Sequence, residues 1–316
     1  MSNKKIIAVI GSTGSQGGSV VDIFLNDPVL NKEWAVHAIT RDPSNEKAKK
    51  LVERGAKAVA GDLNNKLSLV KAFTGATAVF GVTNYWESMS TDTEIQQGKN
   101  IVDAAKEAGV SYFIFSSLLD VKKLTNGKLP HVYHLDGKAR IEEYAREGGV
   151  PSSFFLPGMY LQSVVDFFRQ NEGAWVFAVP MPESAPIPIF DVRDTGIWVK
   201  AIVLKKDQLL GKRVLGSTRY TTPLEVVDAF KTAFPEAGEK AGFYSLPHDA
   251  FLQGVKESMG APDWVAEEVL ENMRLVAEGG YFAFEPLDDS HAALVGDKPT
   301  SLIDFLRGHK SFKDLK

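Results

Sequence analysis

The chain has 316 residues and no cysteine, and its 36 basic and 40 acidic side chains give a formal net charge of −4 at pH 7. The absence of cysteine excludes disulfides, thiolate nucleophiles and cysteine-ligated metals. The acidic balance argues against direct binding of nucleic acid through a basic surface, and no apolar segment approaches the ~20 residues that cross a bilayer.

Six apolar runs alternate with amphipathic stretches over the first half of the chain. The runs are continuous rather than alternating in polarity, which is typical of parallel strands covered on both faces. The predicted strands are residues 5–10, 34–40, 56–61, 76–82, 111–117 and 152–157. Two intervening stretches end in Gly55 and Gly109, a residue type that suits a left-handed helix cap, and Thr91 with Glu94 has the spacing of a capping box. The alternation predicts a Rossmann-like α/β fold with a doubly wound parallel sheet.

The alternation ends after residue 160. The proline-rich segment 179–190 is predicted to be an irregular surface segment, and few strands are expected after it. Helices are predicted at residues 222–234, 248–258, 262–277 and 299–308. We therefore divide the chain into an NAD(P)-binding Rossmann domain, residues 1–157, and a smaller, mostly helical part, residues 158–316. The second part is expected to face the partner or substrate. An arrangement in which its elements are interwoven with those of the first part is the alternative to two separate domains.

The segment "VIGSTGSQGGSV" joins the first strand to the first helix and contains Gly11, Gly14 and Gly17 in a GxxGxxG spacing. Between a strand and a helix, this pattern predicts a dinucleotide site, and a purely structural glycine turn is the alternative. Gly11 permits a tight turn, Gly14 lets the backbone approach the pyrophosphate, and Gly17 lets the helix pack closely against the strand. The phosphates would lie at the helix N-terminus.

The end of the second strand, "AITRDPSN", distinguishes between the two nicotinamide cofactors. Arg41 suits the 2′-phosphate of NADP, because a guanidinium donates two parallel hydrogen bonds to a phosphate. Asp42 would instead suit the ribose hydroxyls of NAD. We therefore favour NADP(H), with NAD(H) as the alternative. After the third strand, Asp62 is expected to face the adenine amino group, and the segment "GVTNYWE" after the fourth is expected to pass the nicotinamide.

Several segments occur in a recognisable order: "GSTGSQGG", "TRDP", "VTNYWES", "HLDGK", "LPGMYLQS" and "PIPIFDVRDTG". In these segments the sequence resembles the NmrA-like family, atypical members of the short-chain dehydrogenase/reductase superfamily, and it is most similar to the NADPH-sensor type. The resemblance covers nearly the whole chain. It implies NAD(P) binding without the catalytic tyrosine of the superfamily. It also implies a regulatory role, either in transcription through a protein partner or in sensing the NADPH/NADP ratio.

The resemblance further implies which residues contact the cofactor. They lie in the glycine-rich turn, at strand ends, in the "HLDGK" segment and after the sixth strand. They are Gly11, Ser12, Thr13, Gly14, Ser15, Gln16, Gly17, Arg41, Asp42, Asp62, Leu63, Thr83, Asn84, Tyr85, Lys138, Tyr160, Leu161, Gln162 and Ser163. The chain departs from the sensor-type pattern at Gln96, where the relative carries a lysine.

The segment "HVYHLDGKAR" bears on catalysis, because hydride transfer in this superfamily uses a tyrosine four residues before a lysine. Tyr133 is five residues before Lys138, about 140° away on a helix, whereas His134 is four residues before it, about 40° away. Histidine, with a reference pKa of ~6.5, is able to donate a proton. The catalytic candidates are therefore His134, Tyr133 and Lys138, and Lys138 also suits the ribose hydroxyls.

Ser116 and Ser117, at the end of the fifth strand, are candidates for polarising a carbonyl, or they simply close the strand. The six histidines form no recognisable metal-binding motif, so no metal site is predicted.

The sequence therefore predicts an NADP(H)-binding regulatory protein that senses cofactor state and modulates a protein partner such as a transcription factor. The alternative is an NADPH-dependent reductase of a quinone, an imine or an enone. Residues 84–91 and 179–190 are the expected moving parts. A cytoplasmic and also nuclear location and a homodimer are compatible with this hypothesis, and no contact with a membrane or with nucleic acid is expected.

Overall fold

The computed structural model describes residues 4–316, except for the side chain of Met259. Seven of its strands form one parallel sheet in the order β11-β6-β5-β4-β1-β2-β3. The strands are β1 (Lys5–Val9), β2 (Trp34–Thr40), β3 (Lys57–Ala60), β4 (Ala78–Gly81), β5 (Tyr112–Ser116), β6 (Ser152–Pro157), β7 (Met159–Tyr160), β8 (Phe168–Asn171), β9 (Ala174–Val179), β10 (Ile187–Phe190), β11 (Arg213–Gly216), β12 (Arg219–Thr221) and β13 (Gly242–Ser245). The six predicted strands correspond to β1–β6, so the predicted doubly wound fold is confirmed.

Helices cover both faces of the sheet and form most of the C-terminal part. They are α1 (Ser15–Asn26), α2 (Leu30–Glu33), α3 (Glu46–Glu53), α4 (Lys66–Phe73), α5 (Tyr85–Ser88), α6 (Thr91–Glu107), α7 (Val121–Leu124), α8 (Tyr133–Gly148), α9 (Leu161–Val165), α10 (Thr195–Leu204), α11 (Lys206–Leu209), α12 (Pro223–Ala233), α13 (Pro235–Gly238), α14 (His248–Met259), α15 (Asp263–Glu278), α16 (Asp288–Ala293) and α17 (Leu302–Gly308). Within residues 4–316, none of these helices is both long and apolar enough to cross a membrane.

The two faces of the sheet are covered by different helices. On one face, α1 packs against α10 and buries Val20, Phe24 and Trp198. On the other face, α4, α6 and α8 pack side by side and bury Leu69 and Ile101. Both faces are therefore apolar, which explains why the strands show continuous apolar runs.

The predicted capping box of α6 is wrong. The N-cap of α6 is Ser90, whose side chain accepts a hydrogen bond from the backbone N–H of Thr93, and Thr91 is the first helical residue. Glu94 is fully buried and faces the interior instead of capping the helix. Its carboxylate is therefore free to take part in the site described below.

The expectation of an irregular surface segment at residues 179–190 holds for residues 180–186, of which 182–184 are exposed, but it is wrong for residues 187–190. Residues 187–190 form β10, the central strand of a small sheet with the order β12-β10-β7. Ile187 and Ile189 are buried on this strand. The prolines obscured the strand, because Pro188 lacks an N–H yet sits between two isoleucines that pack inward. A second small sheet has the order β13-β9-β8, so the C-terminal part contains more strands than expected.

The two halves of the chain are interwoven. β11 pairs with β6 and extends the main sheet, and α10 packs against α1. A boundary at residue 157 therefore separates strands that belong to the same sheet. Helices α14 and α15 of the C-terminal part line the cavity at the carboxyl ends of the strands.

The close packing of α6 against α8 depends on Gly98. A Cβ atom at this position would lie 2.3 Å from Cγ1 of Ile141. We expect Gly98→Ala to destabilise the fold by about 1–3 kcal/mol, because an added methyl group in a packed core forces its neighbours apart. The midpoint of urea unfolding would measure this loss.

The matched control is Gly254→Ala in α14, where a Cβ atom would meet nothing within 4 Å. It should be neutral or stabilising by up to about 1 kcal/mol, since alanine favours a helix over glycine. Equal midpoints for the two variants would contradict the packing argument.

Candidate functional site

A cavity of about 1580 Å³ opens at the carboxyl ends of the main sheet. It lies where β1 and β4 are neighbours, the point at which the strand order reverses and doubly wound folds bind dinucleotides. One side of the cavity is formed by the segments that follow the first six strands, and the other side by α14 and α15. Both halves of the chain therefore contribute to one cavity.

The glycine-rich turn forms a tight cradle at one end of the cavity. Gly11 has a φ of +65°, a conformation that side chains disfavour. A Cβ atom at Gly17 would lie 2.3 Å from the carbonyl oxygen of Gly11, so helix α1 begins in direct contact with the turn. Oε1 of Gln16 is buried and has no partner among the described residues, while its Nε2 donates to the Tyr160 hydroxyl at 2.6 Å. This cradle fits a pyrophosphate.

At the same end, Arg41 and Asp42 both line the cavity. Nη1 of Arg41 donates to Oε1 of Glu87 at 2.5 Å, and both side chains are more than half exposed. The carboxylate of Asp42 accepts hydrogen bonds from the hydroxyl and the backbone N–H of Ser44, which lower its pKa. Asp42 is thus occupied by its own turn, whereas Arg41 is held only by a weak surface ion pair. The arrangement favours recognition of a phosphate over recognition of ribose hydroxyls.

Most of the predicted cofactor-binding residues line this cavity. They are Gly11, Thr13, Gly14, Ser15, Gln16, Gly17, Arg41, Asp42, Asp62, Leu63, Thr83, Asn84, Tyr85, Lys138, Tyr160 and Ser163. Gln96 does not line it, but its neighbour Gln97 does.

Three predicted cofactor residues have other contacts. The hydroxyl of Ser12 donates to the carbonyl oxygen of Ile39 at 3.0 Å, and Nε2 of Gln162 donates to Asp191 at 2.9 Å. Leu161 is fully buried in the core. None of the three lines the cavity.

The structure places two of the three catalytic candidates in the cavity, as their four-residue spacing implied. His134 and Lys138 line the cavity, whereas Tyr133 does not, and its ring lies 5.9 Å from that of His131. Ser116 also lines the cavity; it is fully buried, and its hydroxyl has no hydrogen-bond partner among the described residues. Ser117 instead donates to a buried carboxylate, Oε2 of Glu142, at 2.6 Å.

Lys138 is fixed by a buried acid. Its Nζ donates to Oε1 of Glu94, and the hydroxyl of Thr83 donates to the same oxygen at 2.7 Å. Glu94 is fully buried, so its charge needs this partner. The ion pair holds the lysine in the wall of the cavity and balances the charge of both groups.

The remaining residues of the "HLDGK" segment build the surroundings of Lys138. A Cβ atom at Gly137 would lie 2.8 Å from Oε2 of Glu94, so glycine makes room for the buried acid. Asp136 accepts hydrogen bonds from the backbone N–H groups of Val121 and Lys122 at the start of α7. Burial raises the pKa of Asp136 to about 6.

His134 is held by a second buried acid, Glu268 of α15. Oε1 of Glu268 accepts from Nδ1 of His134 at 2.7 Å and from its backbone N–H at 2.9 Å. Oε2 of the same carboxylate accepts from the hydroxyl of Tyr85 at 2.9 Å. Glu268 thereby joins the C-terminal part to the segment after β4 and to the start of α8.

A similar pair lies one helical turn away. Glu271 accepts from Nδ1 of His131 at 2.7 Å and from its backbone N–H at 2.6 Å. The ligand atoms of His131, Glu267 and Glu271 lie within 4.8 Å of one another, a cluster that the sequence spacing did not reveal. None of these three residues lines the cavity.

The sequence pattern of the NmrA-like family matches residues 3–306. The chain belongs to the NmrA-like family. A relative in Malbranchea aurantiaca, named NmrA-like family domain-containing oxidoreductase malD, is 33% identical over 261 residues, which cover 77% of this chain and 76% of the relative. The predicted family resemblance is therefore confirmed.

Solved structures share the NmrA-like fold. The negative transcriptional regulator NmrA in complex with NADP superposes with a TM-score of 0.79 at 21% identity, covering 98% of this chain and 97% of that one. The NADPH-dependent quinone oxidoreductase QOR2 of Escherichia coli, in complex with NADPH, superposes with a TM-score of 0.72 at 20% identity, covering 95% and 97%. At these identities the likeness establishes the fold alone.

Sequence reasoning missed the two buried acids. Glu94 lies on the same face of α6 as Gly98, Ile101 and Ala105. This helical periodicity indicates that its side chain faces the interior. Glu268 follows Val265 on the buried face of α15 in the same way. The periodicity indicates that these glutamates are buried, but it does not reveal their partners, because His134 is remote from Glu268 in the sequence.

The position of Arg41 predicts a selective loss of NADPH affinity in Arg41→Ala. A charged hydrogen bond contributes about 1.5–3 kcal/mol, so the affinity for NADPH should fall roughly 10- to 100-fold while that for NADH stays within about twofold. Calorimetric titration measures both.

Lys47→Ala is the matched control, because Lys47 is a nearby exposed cation that does not line the cavity. Equal losses of NADPH and NADH affinity in Arg41→Ala would show that Arg41 does not contact the 2′-phosphate.

Proposed function

We propose that this protein is an NADPH-dependent reductase of a largely apolar compound with a C=O, C=N or conjugated enone group. The observation that carries the proposal is the size and composition of the cavity. Sites for single small ligands measure about 300–1,000 Å³, whereas this cavity measures about 1580 Å³. It therefore has room for a second ligand beside the dinucleotide.

The end of the cavity under the C-terminal helices is apolar. It is lined by Phe167, Phe251, Val255, Met273 and Tyr281, among other side chains. We call this end the apolar chamber. Such a lining suits an aromatic or polycyclic compound, because burial of apolar surface is the main favourable contribution to its binding.

Two polar atoms in the cavity wall are available to orient a substrate. The hydroxyl of Ser116 and Oδ1 of Asn272 are buried, and neither has a hydrogen-bond partner among the described residues. Leaving a buried polar atom without a partner costs about 1–3 kcal/mol, so a ligand that bonds to it gains affinity. A carbonyl oxygen or an imine nitrogen is the natural acceptor for the Ser116 hydroxyl.

The family relationships support both parts of the proposal. The relative malD is named an oxidoreductase, and QOR2 is named an NADPH-dependent quinone oxidoreductase. NADP(H) is the favoured cofactor, since Arg41 lines the cavity where the adenosine ribose would lie and NmrA and QOR2 have been solved with NADP and NADPH. NAD(H) is a weaker alternative, because NmrA has also been solved with NAD.

Different residues of the chain have different roles in the proposed reduction. When bound, NADPH supplies the hydride. The glycine-rich turn holds the pyrophosphate, Lys138 holds the ribose hydroxyls, and Ser116 donates a hydrogen bond to the substrate oxygen or nitrogen. The apolar chamber excludes water from the reacting groups.

The proposal predicts that the purified protein oxidises NADPH in the presence of a quinone, a cyclic imine or an aromatic enone, and does so far more slowly without them. Gly254→Leu should weaken substrate binding without affecting NADPH binding. Gly254 lines the chamber, and no atom lies within 4 Å of a Cβ atom placed there, so the leucine side chain would occupy space that the substrate needs. We expect the KM for the substrate to rise at least roughly tenfold, about 1.4 kcal/mol, with NADPH affinity unchanged.

Gly308→Leu is the control, because a Cβ atom there also meets open space but the residue does not line the cavity. A wild-type protein that oxidises no NADPH with any of the three substrate classes would overturn the reductase proposal.

We infer a regulatory role as the second candidate, and the contacts of the segment 84–91 favour it. Arg41 bonds to Glu87, and Tyr85 bonds to Glu268, so this segment is tied to the cofactor end of the cavity and to α15. A 2′-phosphate that binds Arg41 would release Glu87 and free the surface around Trp86 and Met89. A protein partner, such as a transcription factor, would then distinguish the two states. The segment 179–190 is less suited to such movement, because residues 187–190 are a buried strand.

This candidate predicts that saturating NADPH changes the rate of limited proteolysis within residues 84–91. Glu87→Gln should show the changed rate without any cofactor, because its ion pair with Arg41 is already weakened. NADP⁺ carries the same 2′-phosphate and should act in the same direction, whereas NADH lacks it and should leave the rate unchanged, since a ligand shifts an equilibrium only through different affinities for its two states. Identical cleavage with NADPH, with NADP⁺ and without cofactor would exclude this mechanism.

A further inference from the structure

We infer that Glu268 is a positioning residue that makes His134 the proton donor of the reduction. The inference rests on the proposed reductase function and deepens it, because it supplies the acid that the missing tyrosine would otherwise provide. Glu268 lies in the C-terminal part of the chain, far in sequence from the glycine-rich turn and from the "HLDGK" segment.

The contacts of Glu268 fix the orientation of the imidazole. One carboxylate oxygen accepts from both Nδ1 and the backbone N–H of His134, and the other accepts from Tyr85. Nδ1 therefore carries a proton in this arrangement. A carboxylate at Nδ1 also stabilises the imidazolium form, as in the catalytic triads of hydrolases.

The other ring nitrogen of His134 is the one left for a substrate. Nε2 makes no hydrogen bond to any residue in the described part of the chain, and His134 lines the cavity together with Ser116. The ring is confined by Trp86, whose centroid lies 5.1 Å away, and by Tyr85. A confined ring with one nitrogen free is suited to proton transfer.

The tyrosines of the site are poorly suited to the same task. Burial raises the pKa of Tyr85, Tyr160 and Tyr281, which line the cavity, and also that of Tyr133, which does not. The usual mechanism needs a tyrosine whose pKa is lowered toward neutrality. Tyr85 in addition already donates its proton to Glu268.

The charged groups around His134 come from α15, α8 and α6. Glu268 of α15 faces Nδ1, and Tyr85 bonds to the same carboxylate without carrying a charge. Lys138, on the same helix face as His134, is paired with Glu94 of α6, so its charge is balanced. Histidine side chains change charge between about pH 5 and 8.

The step balances as a two-electron reduction. The substrate carbon gains a hydride from NADPH, the π-electron pair of the C=O or C=N bond moves onto oxygen or nitrogen, and that atom takes the proton from Nε2 of His134. The Nε2–H bond breaks and an O–H or N–H bond forms. NADPH becomes NADP⁺, and His134 regains a proton from water. Glu268 stays ionised throughout.

The neighbouring pair provides a matched control. Glu271 also contacts Nδ1 and the backbone N–H of a histidine, His131, and lies on the same helix, although it uses a separate oxygen for each contact; His131 does not line the cavity. Glu268→Gln and Glu271→Gln each replace a buried carboxylate with an amide of the same shape. A purely structural role would give the two variants similar effects.

The first measurement needs no cofactor. Diethyl pyrocarbonate modifies free imidazole nitrogens, and mass spectrometry of the digested protein gives a rate for each histidine. The carboxylate keeps the proton on Nδ1 and leaves Nε2 as the unprotonated nitrogen, so Glu268→Gln should slow the modification of His134 severalfold and leave His131 unchanged. Glu271→Gln should do the reverse. Unchanged modification of His134 in Glu268→Gln would overturn the inference.

The second measurement uses turnover with whichever quinone, imine or enone the wild type reduces. We expect kcat to fall about 10- to 100-fold in Glu268→Gln and about 100-fold or more in His134→Gln, with NADPH affinity and substrate KM within about twofold. The limb of the kcat profile between about pH 5 and 8 should disappear in His134→Gln. Glu271→Gln should keep the wild-type kcat and pH profile.

The outcomes separate the two proposals. If the wild type turns over and Glu268→Gln matches Glu271→Gln, the positioning role is wrong while the reductase function stands. If Glu268→Gln fails to fold, His134→Gln decides, and full activity in that variant overturns the assignment. A wild type without any hydride transfer overturns the reductase function and the proton donor together.

Discussion

Two buried carboxylates, Glu94 and Glu268, determine how the site is assembled. Removing an ionised carboxylate from water costs several kcal/mol unless a charged or hydrogen-bonding partner compensates. Both partners, Lys138 and His134, lie one turn apart on α8, so α6 and α15 each contact this one helix. The cost of an unpaired buried charge thus enforces the mutual placement of three helices that lie far apart in the sequence. The same two contacts place a cation and an imidazole side by side in the wall of the cavity.

Under the proposed reductase function, this arrangement supplies a proton donor that is not a tyrosine. A lysine beside a tyrosine lowers the pKa of the phenol through its positive charge. Here the charge of Lys138 is taken up by Glu94, and the phenols nearby are shifted in the opposite direction by burial. Proton donation to a substrate in such a cavity needs a group that ionises near neutral pH without the help of a neighbouring lysine. Histidine meets that requirement, and an acid at Nδ1 sets which nitrogen faces the substrate.

Local patterns predicted the Rossmann half of the molecule well. Strands β1–β6 follow from continuous apolar runs, and the cradle at Gly11 and Gly17 follows from glycine spacing between a strand and a helix. Most of the failures come from dependence on partners remote in the sequence, and the capping box failed because a second candidate cap stood one residue away. β10 is a strand because β7 and β12 flank it, despite its proline. Glu94 resembled a helix cap because Ser90, the actual cap, stands beside Thr91, and Glu268 resembled any other glutamate of a surface helix.

The interweaving of the two halves has a consequence for biosynthesis. The main sheet is incomplete at its β6 edge until β11 has been made, because β11 is its outermost strand. A chain emerging from the ribosome can close the glycine-rich cradle early, whereas the acid that orients His134 arrives only with α15. The segments that form the cradle are therefore synthesised long before the acid that contacts the imidazole. A shortened chain that ends before α15 would lack the partner of His134 and one wall of the cavity.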